Sequence, residues 1–340
     1  MTVADLGEHA LLARVLSRLP RSNAAVLVGP GDDAAVLAPG RNERLVVTTD
    51  AVVEGVHFSR AYSSPGDIGH KALAVNLSDL AAMAATPRWA LLSLVLPGSW
   101  PVSDVEELVD GLSALAGRHG VSVVGGNITR TDGPLVVDVT AGGEVRPRRW
   151  LTRSAALAGH EVWISGSIGG AAAGLEMLRA ASQGAGIGDQ GSERAACITR
   201  HRRPEPRVRL GIAVGRARAA KAAMDLSDGL ADGLRQMAAA SGVGVRIDGE
   251  TLPIDEGARQ WWTGHGIDAV MAAVAGGDDY ELLFAVPAKS GGALRSVARH
   301  VSDPPLRKIG VFTKDPRELV VARAGKEDAL PEGFEHFAHR

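Results

Sequence analysis

The sequence predicts two mixed α/β domains, and three observations carry that prediction. Short β-branched runs alternate with helical stretches through both halves of the chain. At 340 residues the chain is long for one hydrophobic core, so two domains of ordinary size are the natural division. Between Gly143 and Gly159 the texture turns basic, proline-containing and irregular. That stretch places a boundary between residues 147 and 148.

The elements follow in order. Residues 1–20 read as a short amphipathic helix, with Leu12, Val15, Leu16 and Leu19 on one stripe. Strands are expected over 25–28, 45–49, 91–96, 121–124 and 135–139, where β-branched and aliphatic residues cluster. Between them, 65–85 and 103–118 read as helices, the second with Val105, Leu108, Leu112 and Leu115 at helical spacing. The second half restarts with a strand over 161–165, a glycine-rich turn from Gly166 to Gly170 and an alanine-rich helix. Residues 182–194, rich in Gly, Ser and Gln, read as a surface loop. Helices are then expected over 205–218 and 227–240, and strands over 243–247, 282–286, 307–311 and 319–321.

Composition narrows the function classes. Hydrophobic content of 45% with 22% charged residues is that of a soluble globular protein, and a net charge of −2 gives no electrostatic case for nucleic acid. The single cysteine, Cys197, excludes an internal disulfide and a cysteine-based zinc cage. Asp5 and Glu8 stand where a signal peptide needs basic residues, and no apolar run is long enough to cross a bilayer, so a cytoplasmic location is expected. Basic clusters at Arg146-Pro147-Arg148-Arg149 and from Arg200 to Arg209 read either as solvated loops or as contacts for anionic ligands.

The chemistry is concentrated in five acidic clusters beside glycine or small hydroxyl residues: Gly31-Asp32-Asp33, Thr48-Thr49-Asp50, Asn76-Leu77-Ser78-Asp79, Asp225-Leu226-Ser227-Asp228-Gly229 and Gly276-Gly277-Asp278-Asp279-Tyr280-Glu281. Hard divalent cations prefer such carboxylates, and Mg²⁺ sites of this type usually hold substrate phosphates as well. Each cluster also has a plain structural reading. The first suits a turn, Asp50 suits the end of an apolar run, and Ser227 or Asp228 suits a helix N-cap. Asp79 is different, because its helix carries Leu73, Leu77 and Leu80 on an apolar stripe, and a carboxylate in such surroundings needs a metal or cationic partner. Two carboxylates about 4 Å apart repel by roughly 4 kcal/mol at an effective dielectric near 20, so convergent aspartates would require divalent cations between them.

The usual nucleotide loops are missing. Neither G-x-x-x-x-G-K-[ST] nor G-x-G-x-x-G after a strand occurs, and there is no G-x-S-x-G elbow or H-E-x-x-H helix. Gly166 to Gly174 offers backbone N–H groups at a helix start, suited either to an anion or to close helix packing.

Taken in order, these motifs resemble the thiamine-monophosphate kinase family. The resemblance rests on Gly31 to Ala35, Thr48 to Asp50 through Gly55-Val56-His57-Phe58, Lys71 to Met83, Gly125 to Arg130, Leu151 to Ser154, Asp225 to Leu230 and Gly276 to Leu282, nearly the whole chain. It implies the aminoimidazole-ribonucleotide-synthetase-like fold, with two α/β domains. An N-terminal metal- and ATP-binding domain (1–147) would pair its sheet with that of a second copy in a homodimer. A C-terminal domain (148–340) would complete the active site. It also implies ATP-dependent phosphorylation of thiamine monophosphate to thiamine diphosphate, assisted by several Mg²⁺ ions, with no nucleic-acid or membrane partner.

Carried over position by position, the resemblance makes Asp33, Thr48, Thr49, Asp50, Asp79, Asn127, Asp225 and Asp228 the metal set. Gly126, Asn127, Arg153 and Ser227 become ATP contacts, and His57, Asp278 and Phe334 thiamine contacts. Two positions depart from the family. Asn127 stands where aspartate is usual, which keeps an oxygen but loses a charge. Asp278 stands where glutamate is frequent, which shortens the reach by one methylene.

A phosphate monoester has its second pKa near ~6, so the acceptor oxygen is already anionic at neutral pH and no general base is required. Direct in-line transfer is expected, with no covalent catalytic residue and with charge stabilised by the metal ligands and Arg153. The alternatives are another ATP-dependent enzyme of the same superfamily, of the purine-pathway synthetase type, or a nucleotide-binding dimer that has lost turnover.

Overall fold

The computed structural model describes residues 1–20, 22–29, 35–183, 191–301 and 304–333. They form two compact units. Unit 1 is Met1–Leu80 with Ala85–Pro147, and unit 2 is Ala81–Ala84 with Arg148–Arg340.

Unit 1 begins with α1 (Val3–Leu6) and α2 (Glu8–Arg18), where one helix was expected. Gly7, at φ +81°, separates them. A short antiparallel pair follows, β1 (Val26–Val28) and β2 (Val36–Leu37). The body is a sheet of β3 (Arg44–Val53), β4 (Thr86–Pro97), β5 (Ser122–Thr131) and β6 (Val136–Val145), ordered β3-β6-β4-β5, with helices α3 (Pro65–Ala82) and α4 (Val102–His119). β4 and β5 are parallel, which obliges a crossover, and α4 supplies it. The other pairs are antiparallel.

α3 and α4 meet backbone to backbone. A Cβ at Gly69 would stand 1.9 Å from the Leu108 carbonyl oxygen, and one at Gly111 would stand 2.1 Å from that of Gly66. Around this crossing Leu73, Leu77, Leu80, Val105, Leu108 and Leu112 are buried. Apolar burial on this scale, at about 25 cal/mol per Å², is what holds the two helices down.

Unit 2 is a seven-stranded sheet with helices. In chain order its elements are β7 (Glu161–Ser165), α5 (Gly170–Ser182), α6 (Ser192–Arg202), α7 (Val208–Ala217), β8 (Ala222–Asp225), α8 (Leu230–Ser241), β9 (Gly244–Asp248), α9 (Glu256–Gly264), α10 (Ala269–Ala275), β10 (Leu282–Val286), α11 (Gly291–Val301), β11 (Leu306–Thr313), β12 (Leu319–Arg323) and β13 (Lys326–Ala329). The strand order is β13-β12-β9-β11-β7-β10-β8, antiparallel throughout except β12 beside β9.

Every residue of β10 is buried, so both faces of the sheet are covered. Leu283 and Ala285 join one core with Val162, Ile164, Leu234, Met237 and Trp262. Leu282, Phe284 and Val286 alternate to the other face. Helices α7 and α11 pack on one another. The loop expected over 182–194 is shorter than predicted, since α6 begins at Ser192; residues 184–190 lie outside the described set. No helix among the described residues is long and apolar enough to cross a membrane.

Candidate active site

In unit 1 the site is built on α3 and β3. Helix α3 is buried almost throughout from Gly69 to Leu80, and Asp79 is its half-buried exception. The hydroxyl of Thr48 donates to Asp79 Oδ2 at 2.5 Å, which ties the middle of β3 to the end of α3. Strand side chains alternate, so Asp50 shares the helix-facing side with Thr48. Asp50 does not end its strand: β3 runs on to Val53, and Asp50 pairs with Val139. The structure therefore brings Thr48, Asp50 and Asp79 to one side of the sheet.

Thr49 faces the other way. Its hydroxyl donates to Asp138 Oδ1 at 3.2 Å and to the Val139 carbonyl at 3.3 Å, and lies 3.0 Å from Thr140 Oγ1. Its side chain is thus not brought to the Asp79 side, a placement that strand alternation dictates. One turn before Asp79, the Asn76 amide donates to the Ala72 carbonyl at 3.1 Å, while its buried Oδ1 accepts no hydrogen bond among the described residues.

Gly126 and Asn127 lie inside β5, which extends well past the expected residues 121–124. A Cβ at Gly126 would stand 1.8 Å from the Leu92 carbonyl oxygen, so this strand position admits only glycine. Asp50, Val139, Leu92 and Gly126 form one cross-strand row. That row spans three strand spacings, roughly 14 Å. Asn127 is exposed, its amide 3.5 Å from the Thr129 hydroxyl.

His57 sits in the turn after β3, half-buried. Its Nδ1 accepts from the Val53 N–H at 3.0 Å, which puts the ring proton on Nε2 in the neutral form. The buried Lys71 of α3 donates to the His57 carbonyl at 3.1 Å.

In unit 2 the two acidic motifs meet. Asp225 ends β8 opposite Leu282 and is buried. Beyond it the backbones stay paired: Leu226 N–H donates to Glu281 O at 2.8 Å, Tyr280 N–H to Leu226 O at 3.1 Å, and Asp278 N–H to Ser227 O at 2.6 Å. Ser227 and Asp228 do not cap the following helix. The N-cap of α8 is Gly229, and it makes no side-chain cap bond. Arg153 Nη1 donates to Gln236 Oε1 of α8 at 2.6 Å.

Within the 276–281 segment the carboxylates divide. Asp279 accepts from the Gly169 N–H at 2.6 Å and the Ala171 N–H at 3.3 Å, so it fills the helix start that the sequence offered to an anion. Burial pushes its pKa up to about 7, against the pull of Arg200 and those two N–H groups. Glu281 is fully buried, and accepts from Ser165 Oγ at 2.6 Å, Arg200 Nη2 at 3.0 Å, and Arg207 Nε and Nη2 at 2.8 and 2.5 Å. Two members of the basic 200–209 cluster thus serve an internal acid. Asp278 alone of the three stays partly open. Sequence reasoning missed this division, because Asp278 and Tyr280 take left-handed backbone conformations that no residue pattern in the segment announces.

Cys197 is buried and donates to Asp255 Oδ1 at 3.2 Å, and burial pushes its thiol pKa well up, so it is no nucleophile. Asp33 and Phe334 lie outside the described residues. Among the described residues no three His, Cys, Asp or Glu side chains converge as a ready-made metal cluster. Asp79 fits a hard cation in its chemistry, because the donor it receives is a neutral hydroxyl that is itself an oxygen ligand. Asp50 and Asp79 belong to unit 1, and Asp225, Asp228 and Asp278 to unit 2.

Residues 31–145 match the AIR synthase related protein N-terminal domain, and 158–323 match the corresponding C-terminal domain. Thiamine-monophosphate kinase of Escherichia coli K12 is 38% identical over 336 residues, 98% of each chain. The chain belongs to the thiamine-monophosphate kinase family. A solved thiamine-monophosphate kinase from Stenotrophomonas maltophilia K279a is 39% identical, superposes with a TM-score of 0.79, and is matched over 94% of this chain and 96% of its own. A ThiL structure complexed with AMPPCP and TMP is 31% identical, with a TM-score of 0.76 over 99% of both chains. The two-domain, mixed α/β fold expected from the sequence is that of this family, and the chain is an enzyme of the thiamine-monophosphate kinase type.

Proposed function

We propose that this enzyme transfers the γ-phosphoryl group of ATP directly to the phosphate of thiamine monophosphate, by in-line displacement and with several Mg²⁺ ions bound. The observation that carries the reading is the end-to-end match to thiamine-monophosphate kinases, one of them complexed with AMPPCP and TMP, by a chain whose Thr48 hydroxyl donates to Asp79. Asp33, Thr48, Asp50, Asp79, Asn127, Asp225 and Asp228 are the residues that would hold the ions. When bound, the ions supply positive charge to phosphate oxygens.

The chain's own residues place the substrates. Arg153, Gly126 and Ser227 bind the nucleotide, and His57, Asp278 and Phe334 bind the thiamine moiety. The acceptor phosphate attacks as an anion, and the released ADP carries away the bond electrons, so no side chain has to move a proton. The strands that carry Asp50 and Asn127 stand three spacings apart, roughly 14 Å, which supports more than one ion, because two side chains so far apart do not share one. Thr49 serves through its backbone or not at all, given where its hydroxyl points.

A homodimer belongs to the same reading. The sheet face opposite α3 carries exposed Leu45 and Val47 on β3 and half-buried Leu91 and Val95 on β4, with Thr140 and Asp138 of β6 between them, a mixed surface suited to a second copy. Unit 1 would then be the dimerising half and unit 2 the half that completes the site.

Purified protein with ATP, Mg²⁺ and thiamine monophosphate should yield thiamine diphosphate, with free thiamine as the control acceptor. ATP binding without product would favour the non-catalytic reading. A labelled phosphoenzyme after a pulse of γ-labelled ATP would overturn direct transfer, and light scattering that finds a monomer would overturn the dimer.

A further inference from the structure

We propose that His201 and Tyr280 are positioning residues that grip the Asp278 carboxylate from two sides and so fix where a cationic or N–H-bearing heteroaromatic ring is read. This rests on Asp278 being a substrate contact. Tyr280 Oη donates to Asp278 Oδ1 at 3.2 Å, and His201 Nδ1 lies 3.3 Å from Oδ2. The two gripping side chains are buried, 7% and 3% exposed, whereas the Asp278 side chain keeps 28% of its surface. Each oxygen of the carboxylate therefore faces one buried polar group, and the exposed part of the side chain is the part a ligand can meet.

The backbone supports the same role. Asp278 and Tyr280 both sit at positive φ, +68° and +49°, a region that residues with a Cβ seldom occupy. The strain persists because the segment is held on both sides of it. Asp279 is bound to the start of α5, Glu281 is bound to Arg200 and Arg207, and the Asp278 N–H is bound to Ser227 O. In this conformation side chains 278 and 280 come together while 279 and 281 point inward. The hydroxyl of Tyr280 thereby reaches the carboxylate two residues before it. A free aspartate would sample several rotamers, and each would present its lone pairs in a different direction. His201 approaches at ion-pair distance rather than as an aligned hydrogen bond, so Tyr280 is the stronger of the two grips.

Steady-state kinetics on the full chain, with thiamine monophosphate and ATP varied separately, test this on Tyr280→Phe, His201→Leu, His201→Asn and Asp278→Asn, with the Tm of each variant measured alongside. Tyr280→Phe and His201→Leu should each raise the KM for thiamine monophosphate about tenfold while the KM for ATP moves by less than about twofold. His201→Asn, whose amide nitrogen takes the place of Nδ1, should recover most of the loss. The Tyr280→Phe/Asp278→Asn double variant should be no worse than Asp278→Asn, because Tyr280 acts only through that carboxylate. If Asp278→Asn raises this KM and the Tyr280 and His201 variants do not, the grip is refuted and the substrate role stands. If Asp278→Asn leaves it unchanged, the substrate role itself falls. Equal rises in both KM values would mean a merely structural role. Should His201→Leu fail to fold, Tyr280→Phe, which removes one oxygen, decides alone.

Discussion

Asp79 and Glu281 both come from acid-bearing motifs that looked alike in the sequence, and the molecule uses them in opposite ways. Glu281 is fully buried among two guanidinium groups and a serine hydroxyl, so its counter-charge is part of the chain. Asp79 is half-buried and receives a neutral threonine hydroxyl. A carboxylate whose positive partner is built in holds structure together, and its charge is already balanced. One that receives only a neutral donor keeps its charge for something that arrives from outside. The local supply of arginine, more than the acidity of the motif, separates the two.

Four substitutions test whether the two acids differ in this way. Asp79→Asn should keep the fold, with an unchanged urea midpoint, and lower kcat by about a thousandfold, the several kcal/mol of charge stabilisation that bound ions supply. Normal turnover at limiting Mg²⁺ would remove Asp79 from the metal set. Glu281→Gln should do the reverse. It removes the carboxylate that Arg207 and Arg200 share, leaving Arg200 with Asp255, and should lower unfolding stability by about 3 kcal/mol in a denaturant titration. An unshifted midpoint would mean that the arginines find other partners.

Asp279 gives a pH-dependent effect of up to about 4 kcal/mol, from a pKa raised from 3.8 to about 7 by burial. A raised pKa means that the folded state holds the proton more tightly. The stabilisation is therefore complete below about pH 3.8 and lost as pH climbs to about 7. The stability margin of the natural chain over Asp279→Asn should shrink across that window and stay constant above it. A margin that grows with pH would mean that the ionised form is favoured at the helix start. The smallest effect is expected from Asn127→Asp, which should lower the Mg²⁺ needed for half-maximal rate about fivefold. An identical magnesium titration would mean that the position binds no ion here.

The sequence made the architecture legible wherever packing is periodic. The stripe of Val105, Leu108, Leu112 and Leu115 is α4, and the apolar run from Leu282 to Val286 is a strand buried on both faces. It was less legible where glycine and polar residues sit in strands. β5 continues through Gly125-Gly126-Asn127, because Gly126 is needed for close approach to Leu92 and does not break the strand. β3 passes straight through Asp50. The short strand β8 was hidden because alanine and methionine are helix formers, a preference that pairing with β10 overrides, and helix α6 because the Gly-, Ser- and Gln-rich stretch before it read as loop.

At the candidate site, order along the chain pointed to Asp79, Asp225 and Asp278 as expectations, and strand alternation alone separates Thr48 from Thr49. What the sequence could not reveal was the partner of each acid. The pairing of Glu281 with Arg207 spans 74 residues, and no local pattern encodes it.

The reciprocal glycine contact between α3 and α4 has a kinetic meaning. With no side-chain layer between the two backbones, neither helix can rock or slide without van der Waals collision. The soft modes that let most packed helices shift by fractions of an ångström are frozen out at that crossing. Asp79, almost three turns further along α3, inherits that stillness. Amide exchange around the crossing should then be among the slowest in the unit, and the enzyme's motion must come from its loops and its ligands, not from the helix that holds the acid.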